Sequence, residues 1–391
     1  MATASLKDLL SQHTIPAADE LVVNEGGTGL SPFLRRFPAL AGRLPHTRIG
    51  VFPTPLRELE SLRCALCATG GPSALYVKDD GVSNPIYGGN KVRKLELVLA
   101  EAIRRGAHEV MTFGFAGSNH AAATAVHAAT LGLSSISMLL PQANAPYVAK
   151  NLGVSAAAGA ELHYYRTVPR LVAGVVEQTA AHFLRTGQRP FVIAPGGSSP
   201  LGTVGFVAAA FELADQLERQ SLAPPDFVYV ALGSGGTAVG LALGFAAAGL
   251  PTGVVAVRVT ELKHANERKA AKLWHETVAL LRNADPGFPS LGFDRAPLTI
   301  RGEFFGDGYA VVTPQAAEAI HMMESEAGVR LDVAYTGKAF ACLIADSRSG
   351  ALGGKRALFW NTYNAADLSP LAAQASDDRM PPTLQPYLPR P

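Results

Sequence analysis

Short, β-branched apolar runs alternate with stretches of helical hydrophobic period through most of the chain. Ala74–Lys78, Glu109–Phe113, Ser135–Leu140, Phe191–Ala194, Phe227–Leu232, Gly253–Val259 and Arg356–Trp360 predict strands. Lys91–Arg105, Ala121–Leu131, Val168–Arg185, Leu201–Arg219 and Thr237–Ala248 predict helices. This alternation predicts an α/β fold, a mostly parallel twisted sheet with helices on both faces. Ligands of such sheets bind beyond the C-terminal ends of the strands, so the chemistry is sought in the strand–helix turns.

A few stretches change the picture. Phe227–Val257 contains no Asp, Glu, Lys or Arg and is long enough to span a bilayer. Gly233, Gly235, Gly236 and Pro251 divide it into strand, turn, helix and strand, which predicts a buried βαβ unit and no membrane partner. Residues 1–50 lack the alternation and are expected to form an N-terminal arm packed at the periphery. Met1–Thr14 carries Lys7 and Asp8 inside its only apolar stretch, unlike a signal peptide. Glu261–Asn283 is the most charged helical stretch and predicts a solvated helix. The cluster Pro195-Gly196-Gly197-Ser198-Ser199-Pro200 predicts a turn that marks a domain crossing.

Composition narrows the function classes. Of 391 residues, 48% are hydrophobic and 17% charged, against about a quarter charged in ordinary domains. That excludes a disordered chain and fits sheets buried on both faces. Lys+Arg 34 against Asp+Glu 32 leaves +2, so no basic field exists to hold nucleic acid. Three cysteines make no disulfide framework, and a reducing, cytoplasmic setting is expected. Cys64 and Cys67 form a C-x-x-C, but with only Cys342 besides them they fall short of a four-ligand zinc site, and no metal is expected.

Five turns carry candidate chemistry. Gly88-Gly89-Asn90-Lys91-Val92-Arg93-Lys94-Leu95-Glu96 opens a helix with three cations in its first turn, where the macrodipole already places about +0.5 of charge. An anionic ligand, a lysine committed to an aldehyde cofactor, or three side chains turned to solvent would each account for them. In the second of these readings Arg93 and Lys94 would lower the pKa of Lys91. Phe113-Gly114-Phe115-Ala116-Gly117-Ser118-Asn119-His120 lies within Met111–Ala149, which has no formal charge. Polar groups in such surroundings need designated partners, although Ser118 also reads as a simple N-cap. Gly233-Ser234-Gly235-Gly236-Thr237 follows a strand and opens a helix, a cradle for one phosphate. Gly233, Gly235 and Ala238 also satisfy G-x-G-x-x-A, which keeps a nicotinamide-dependent oxidoreductase in view, with Glu261 beyond the usual spacing of about 20 residues. Leu331-Asp332-Val333-Ala334-Tyr335-Thr336-Gly337-Lys338-Ala339 and Phe359-Trp360-Asn361-Thr362-Tyr363-Asn364 complete the set.

Taken in this order, from Phe52-Pro53-Thr54-Pro55-Leu56 to Asn364, the turns resemble the fold type II, tryptophan-synthase-β-like enzymes that use pyridoxal 5′-phosphate. The resemblance is strongest to the branch of D-cysteine desulfhydrase and 1-aminocyclopropane-1-carboxylate (ACC) deaminase, with G-G-N-K-x-R-K-L-E as its most specific element. It implies that Lys91 is the Schiff-base lysine beside Asn90, that Ser118 binds the substrate carboxylate, and that Asn119 holds the phenolic oxygen of the cofactor. Gly233, Ser234, Gly235, Gly236 and Thr237 would form the phosphate cradle, and Tyr309 and Tyr335 would be the active-site tyrosines. Thr336 would face the pyridine nitrogen, where the deaminases carry glutamate, and His120 stands where they carry glutamine; both follow the desulfhydrases. Ala121, Ala122 and Ala123 depart from the family's basic or amide residues, and Thr362-Tyr363-Asn364 replaces Thr-Gly-Gly, with Tyr363 expected to reshape the substrate space.

The implied activity is α,β-elimination on a small amino acid with a β-leaving group, giving a keto acid and ammonia. A hydroxyl at Thr336 would favour prompt expulsion of that group. A β-replacement synthase and a ring-opening deaminase are the near alternatives; a non-catalytic pyridoxal-phosphate or amino-acid-binding protein is a distant one. The resemblance also implies two three-layer αβα domains with the cofactor between them. The large domain would comprise 51–93 and 206–391, the small domain 94–205, and the chain would form a homodimer.

Overall fold

The computed structural model describes residues 30–67, 70–375 and 380–388. Met1–Thr14, the rest of the expected arm up to residue 29, and the Cys67 side chain lie outside them. The described strands are β1 (Leu56–Glu58), β2 (Ala74–Asp79), β3 (Glu109–Phe115), β4 (Ser134–Leu140) and β5 (Glu161–Tyr164). They continue with β6 (Phe191–Val192), β7 (Phe227–Leu232), β8 (Gly253–Arg258), β9 (Leu298–Arg301) and β10 (Arg356–Asn361). They form two sheets, ordered β1-β2-β10-β7-β8-β9 and β5-β4-β3-β6. Every pairing is parallel except β1 with β2.

Each sheet reverses its strand order once. In the first, β7, β8 and β9 proceed one way while β10 returns to the other side of β7. In the second, β3, β4 and β5 proceed one way while β6 pairs on the other side of β3. At such a switch point the flanking connections leave on opposite faces and open a crevice at the C-terminal ends of the strands.

The uncharged stretch folds as anticipated into β7, the helix Gly236–Ala248 and β8. That helix is apolar all round and buried from Gly236 to Phe245. It lies against the helix Pro200–Arg219 so closely that a Cβ on Gly240 would meet the Phe206 Cβ at 2.5 Å, and one on Gly244 the Ala210 Cβ at 2.5 Å. No described helix is long and apolar enough to cross a membrane.

Two expectations change. The described part of the N-terminal segment is no periphery: Phe33 and Leu40 are fully buried. The Phe33 ring lies 5.2 Å from that of Phe211, and Phe37 lies 5.0 Å from Phe288, so this segment closes the main core. The helix Glu267–Ala284 is solvated on one face only, with Trp274 and Leu281 fully buried on the other. Among the described residues no His, Cys, Asp and Glu group could hold a metal ion. Cys64 is exposed, and Cys342 is a buried, free thiol.

Candidate active site

A cavity of about 670 Å³ opens where both switch points converge. Its wall includes Gly114 and Phe115 at the end of β3 with Ser118 after it, and Pro195, Gly196 and Ser198 after β6. It continues with Gly233, Ser234, Gly235 and Thr237 after β7, and Thr362, Tyr363 and Asn364 after β10. Asn90, Lys91 and Lys94, at the start of the helix Lys91–Arg104, lie on the same wall.

One end is a cradle. Gly235 has φ +101, a conformation that side chains resist, and it starts a helix with no side-chain cap. The Gly236 amide donates to Ser198 Oγ at 3.0 Å, and that oxygen lies 2.7 Å from Ser234 Oγ. Lys94 Nζ donates to Ser198 Oγ at 3.1 Å and to the Gly196 carbonyl at 3.2 Å. Lys94 is buried and has no carboxylate partner among the described residues. Burial, and then Lys91, hold its ammonium well below the usual lysine range. The charged form of a buried amine at the opening of a helix is costly unless an anion joins it.

Lys91 links this end to the other. Its Nζ donates to Asn90 Oδ1 at 2.7 Å, while Asn90 Nδ2 donates to Thr237 Oγ1 at 3.0 Å. Burial lowers the Lys91 ammonium from 10.5 to about 8, against the opposing pull of Asp332. A substantial neutral fraction is therefore present near neutral pH, as a nucleophilic amine requires.

The other end is neutral. Ser118 Oγ caps the helix Asn119–Thr130 by accepting from the Ala121 amide at 3.2 Å. His120 is buried, with neither ring nitrogen in good hydrogen-bonding geometry among the described residues and the Ala194 backbone near it; burial, then Lys91 and Lys94, keep it uncharged. The hydroxyls of Tyr309 and Tyr335 lie 2.7 Å apart. The Tyr309 ring also packs 4.6 Å from Phe115, at the end of β3. Burial raises both phenols, which stay protonated as donors at neutral pH. Lys338, fully buried, donates to the carbonyls of Phe305 at 2.6 Å and Gly308 at 3.2 Å and so fixes the loop that carries Tyr309.

The structure brings Asn90, Lys91, Ser118, Asn119, His120, Gly233, Ser234, Gly235, Thr237, Tyr309, Tyr335, Thr362 and Tyr363 onto one wall. Gly236 and Thr336 are the two expected residues that do not line it. Gly236 sits behind the cradle, where a Cβ would come within 2.7 Å of Ser198 Oγ. The Thr336 hydroxyl is turned to Asp332, donating to Oδ1 at 2.6 Å and accepting from the Asp332 amide at 2.7 Å. The carboxylate that reaches the wall from this turn is Asp332, and burial raises its pKa. Nor do the three cations face solvent. Arg93 is buried between Asp80 and Glu212, at 2.8 and 2.9 Å, so burial and not Arg93 sets the amine of Lys91. Asn364 accepts from the Gly88 amide at 2.7 Å and thereby braces the turn before Lys91.

Sequence reading did not assign Lys94, Ser198 or Asp332. The signal for Ser198 was its turn after β6; the motif singled out Lys91, but nothing in the sequence separated Lys94 from Arg93.

A half-buried amine of lowered pKa, an anion cradle whose lysine has no carboxylate partner among the described residues, and a buried neutral imidazole on one wall fit a ligand that carries an aldehyde and a phosphate. Pyridoxal phosphate carries both. A D-cysteine desulfhydrase of Salmonella paratyphi B (strain ATCC BAA-1250 / SPB7) is 34% identical over 308 residues, 77% of this chain and 88% of that protein. The nocardicin C-9′ epimerase of Nocardia uniformis subsp. tsuyamanensis is 34% identical over 331 residues, 82% and 93% of the two chains. The crystal structure of an ACC deaminase homologue superposes with a TM-score of 0.70 at 31% identity, covering 84% of this chain and 94% of the other. The family described as pyridoxal-phosphate dependent enzyme matches residues 47–362, and the chain belongs to it.

Proposed function

We propose that this enzyme removes the Cα proton of a small amino acid and expels a substituent from Cβ, releasing a keto acid and ammonia. The observation that carries the proposal is the placement of a neutralisable amine, Lys91, and a hydroxyl pair, Tyr309 and Tyr335, on one cavity with an anion cradle. The desulfhydrase relative and the likeness to an ACC deaminase homologue support it.

In this reading Lys91 is the attachment point, and the glycine turn with Thr237, Ser198 and Lys94 holds the phosphate. Asn119 donates to the phenolic oxygen. When bound, pyridoxal phosphate supplies an electron sink for the pair left as a bond at Cα breaks. Ser118 and His120 orient the substrate carboxylate. The freed Lys91 amine takes the Cα proton. The leaving group departs from Cβ with its bonding pair and takes a proton from the Tyr309–Tyr335 pair, which burial keeps protonated. Water then releases the keto acid and ammonia. Thr336 is given no direct contact in this scheme; it holds Asp332 and the start of its helix.

The epimerase relative favours a second reading, in which the proton returns to Cα and nothing leaves. A screen of D- and L-amino acids bearing β-thiol, β-chloro, β-sulfonate and cyclopropane groups separates the two. Keto-acid release supports elimination. Cα deuterium incorporation from heavy water, with the amino acid recovered and no keto acid, overturns it in favour of epimerisation. β-Replacement would instead require an added thiol or amine and would yield a new amino acid.

The expected division into 51–93 with 206–391, and 94–205, belongs to the proposal. Its support is that β3 to β6 form their own sheet, although the boundaries at 94 and 205 fall inside helices. So do a homodimer, by resemblance, and a cytoplasmic setting, supported by a count of three cysteines, too few for a disulfide framework.

A further inference from the structure

Asn151 lies on the helix Pro146–Ala157, behind the turn that carries Ser118 and Asn119, and is buried. Its Nδ2 makes two hydrogen bonds, to the Gly117 carbonyl at 2.9 Å and to Asn119 Oδ1 at 2.8 Å. A backbone carbonyl only accepts, so the Asn151 atom facing Gly117 must be the amide nitrogen. Its second hydrogen then demands an acceptor, and the atom of Asn119 at 2.8 Å must be Oδ1. The orientation of both amides thus follows from one carbonyl. It leaves Asn119 Nδ2, on a residue that lines the cavity, as the end of that amide with no partner among the described residues.

We infer that Asn151 is a positioning residue that fixes the Asn119 amide so that a donor, never an acceptor, meets the phenolic oxygen of the cofactor. This rests on the proposed role of Asn119. A donor there holds that oxygen deprotonated; an acceptor would require it to carry a proton.

Asn151→Asp tests the inference, because it keeps the shape and replaces the donor by an acceptor. Asn119 must then turn its Nδ2 towards residue 151 and present Oδ1 to the cavity. Two quantities are read by titrating the cofactor-free protein with pyridoxal phosphate: the affinity, and the absorption band of the bound cofactor. Affinity is expected to fall by about tenfold to a hundredfold, the worth of one charge-assisted hydrogen bond. The band is expected to move towards the shorter-wavelength form with the oxygen protonated. Asn151→Ala frees the amide to adopt both orientations and should give both bands, which keeps the test available if the aspartate variant does not fold. In an Asn119→Ala background Asn151→Asp should change neither quantity further. If Asn119→Ala alters band and affinity but both Asn151 variants match the parent protein, the inference fails and the role of Asn119 stands. If Asn119→Ala itself changes nothing, the role of Asn119 fails, and the inference with it.

Discussion

The two ends of the cavity are built on opposite electrostatic principles. The cradle end lacks a counter-charge: Lys94, buried beside the opening of a helix, meets a hydroxyl and a carbonyl but no carboxylate among the described residues, and is pushed towards its neutral form. At the other end most groups have their partners within the protein, Ser118 with an amide, Asn119 with Asn151, Tyr309 with Tyr335. An amine that gives up its proton for want of a counter-ion regains it when an anion arrives, so the cradle serves affinity. Neutral groups held in place before the reaction cost nothing to reorganise, so the opposite end serves chemistry. Lys91 stands between the two and belongs to both.

The sharpest way to break this contrast is at Lys91. Lys91→Ala should lower turnover by at least about 10⁴-fold, since base and attachment point are lost together. Borohydride reduction of the parent protein with pyridoxal phosphate, followed by digestion and mass measurement, should place the added mass on the peptide holding Lys91. A label on another peptide, or turnover retained in the variant, rules the assignment out. Next comes the neutral end. Tyr335→Phe should reduce kcat by roughly 10²–10⁴-fold and leave cofactor affinity unchanged, because only a proton donor is removed. A loss confined to affinity would reassign the hydroxyl pair to binding.

Much of this contrast was legible in the sequence. The seven predicted strands agree with observed strands to within a residue or two at each end; six are central strands that read as apolar runs, and the seventh, β6, is a two-residue edge strand inside the apolar run Phe191–Ala194. The strands β1, β5 and β9 were not predicted; they are edge strands of three or four residues with mixed burial and no such run. The glycine turn was legible because a helix entered through a positive φ needs glycine at that point. The distribution of charge was not. Lys91, Arg93 and Lys94 look alike in a line of letters, yet one faces the cavity amide, one meets carboxylates 13 and 119 positions away, and one meets no carboxylate. Partners that distant are set by the sheet order, which short-range periodicity does not encode. Thr336 shows the converse: its neighbour Asp332, a single turn away, captures its hydroxyl.

The cradle is tested at smaller amplitude. Lys94→Met should weaken pyridoxal phosphate binding by about tenfold to a hundredfold, with kcat at saturating cofactor little changed. The same substitution removes a buried amine that no carboxylate among the described residues compensates, so the cofactor-free variant should unfold at an equal or higher temperature than the parent protein, as calorimetry would show. A drop in the unfolding temperature of the cofactor-free protein would mean that Lys94 is already compensated, and the contrast between the ends would lose its basis.

The smallest effect concerns the group shared by both ends. A neutral amine captures an aldehyde and an ammonium does not, so the rate at which cofactor-free protein takes up pyridoxal phosphate should rise with pH around a midpoint near 8, where burial places Lys91. An unperturbed lysine would put that midpoint near 10.5. Among the influences on this amine, Asp332 alone favours its charged form. Asp332→Asn should therefore shift the midpoint to lower pH and speed capture in mildly acidic buffer, even though it removes a cap from the helix that follows. Stopped-flow absorbance across the pH range reads both quantities. A midpoint that stays fixed in Asp332→Asn would show that the carboxylate is protonated beside Lys91, as its own burial tends to make it, and that the amine is tuned by desolvation alone.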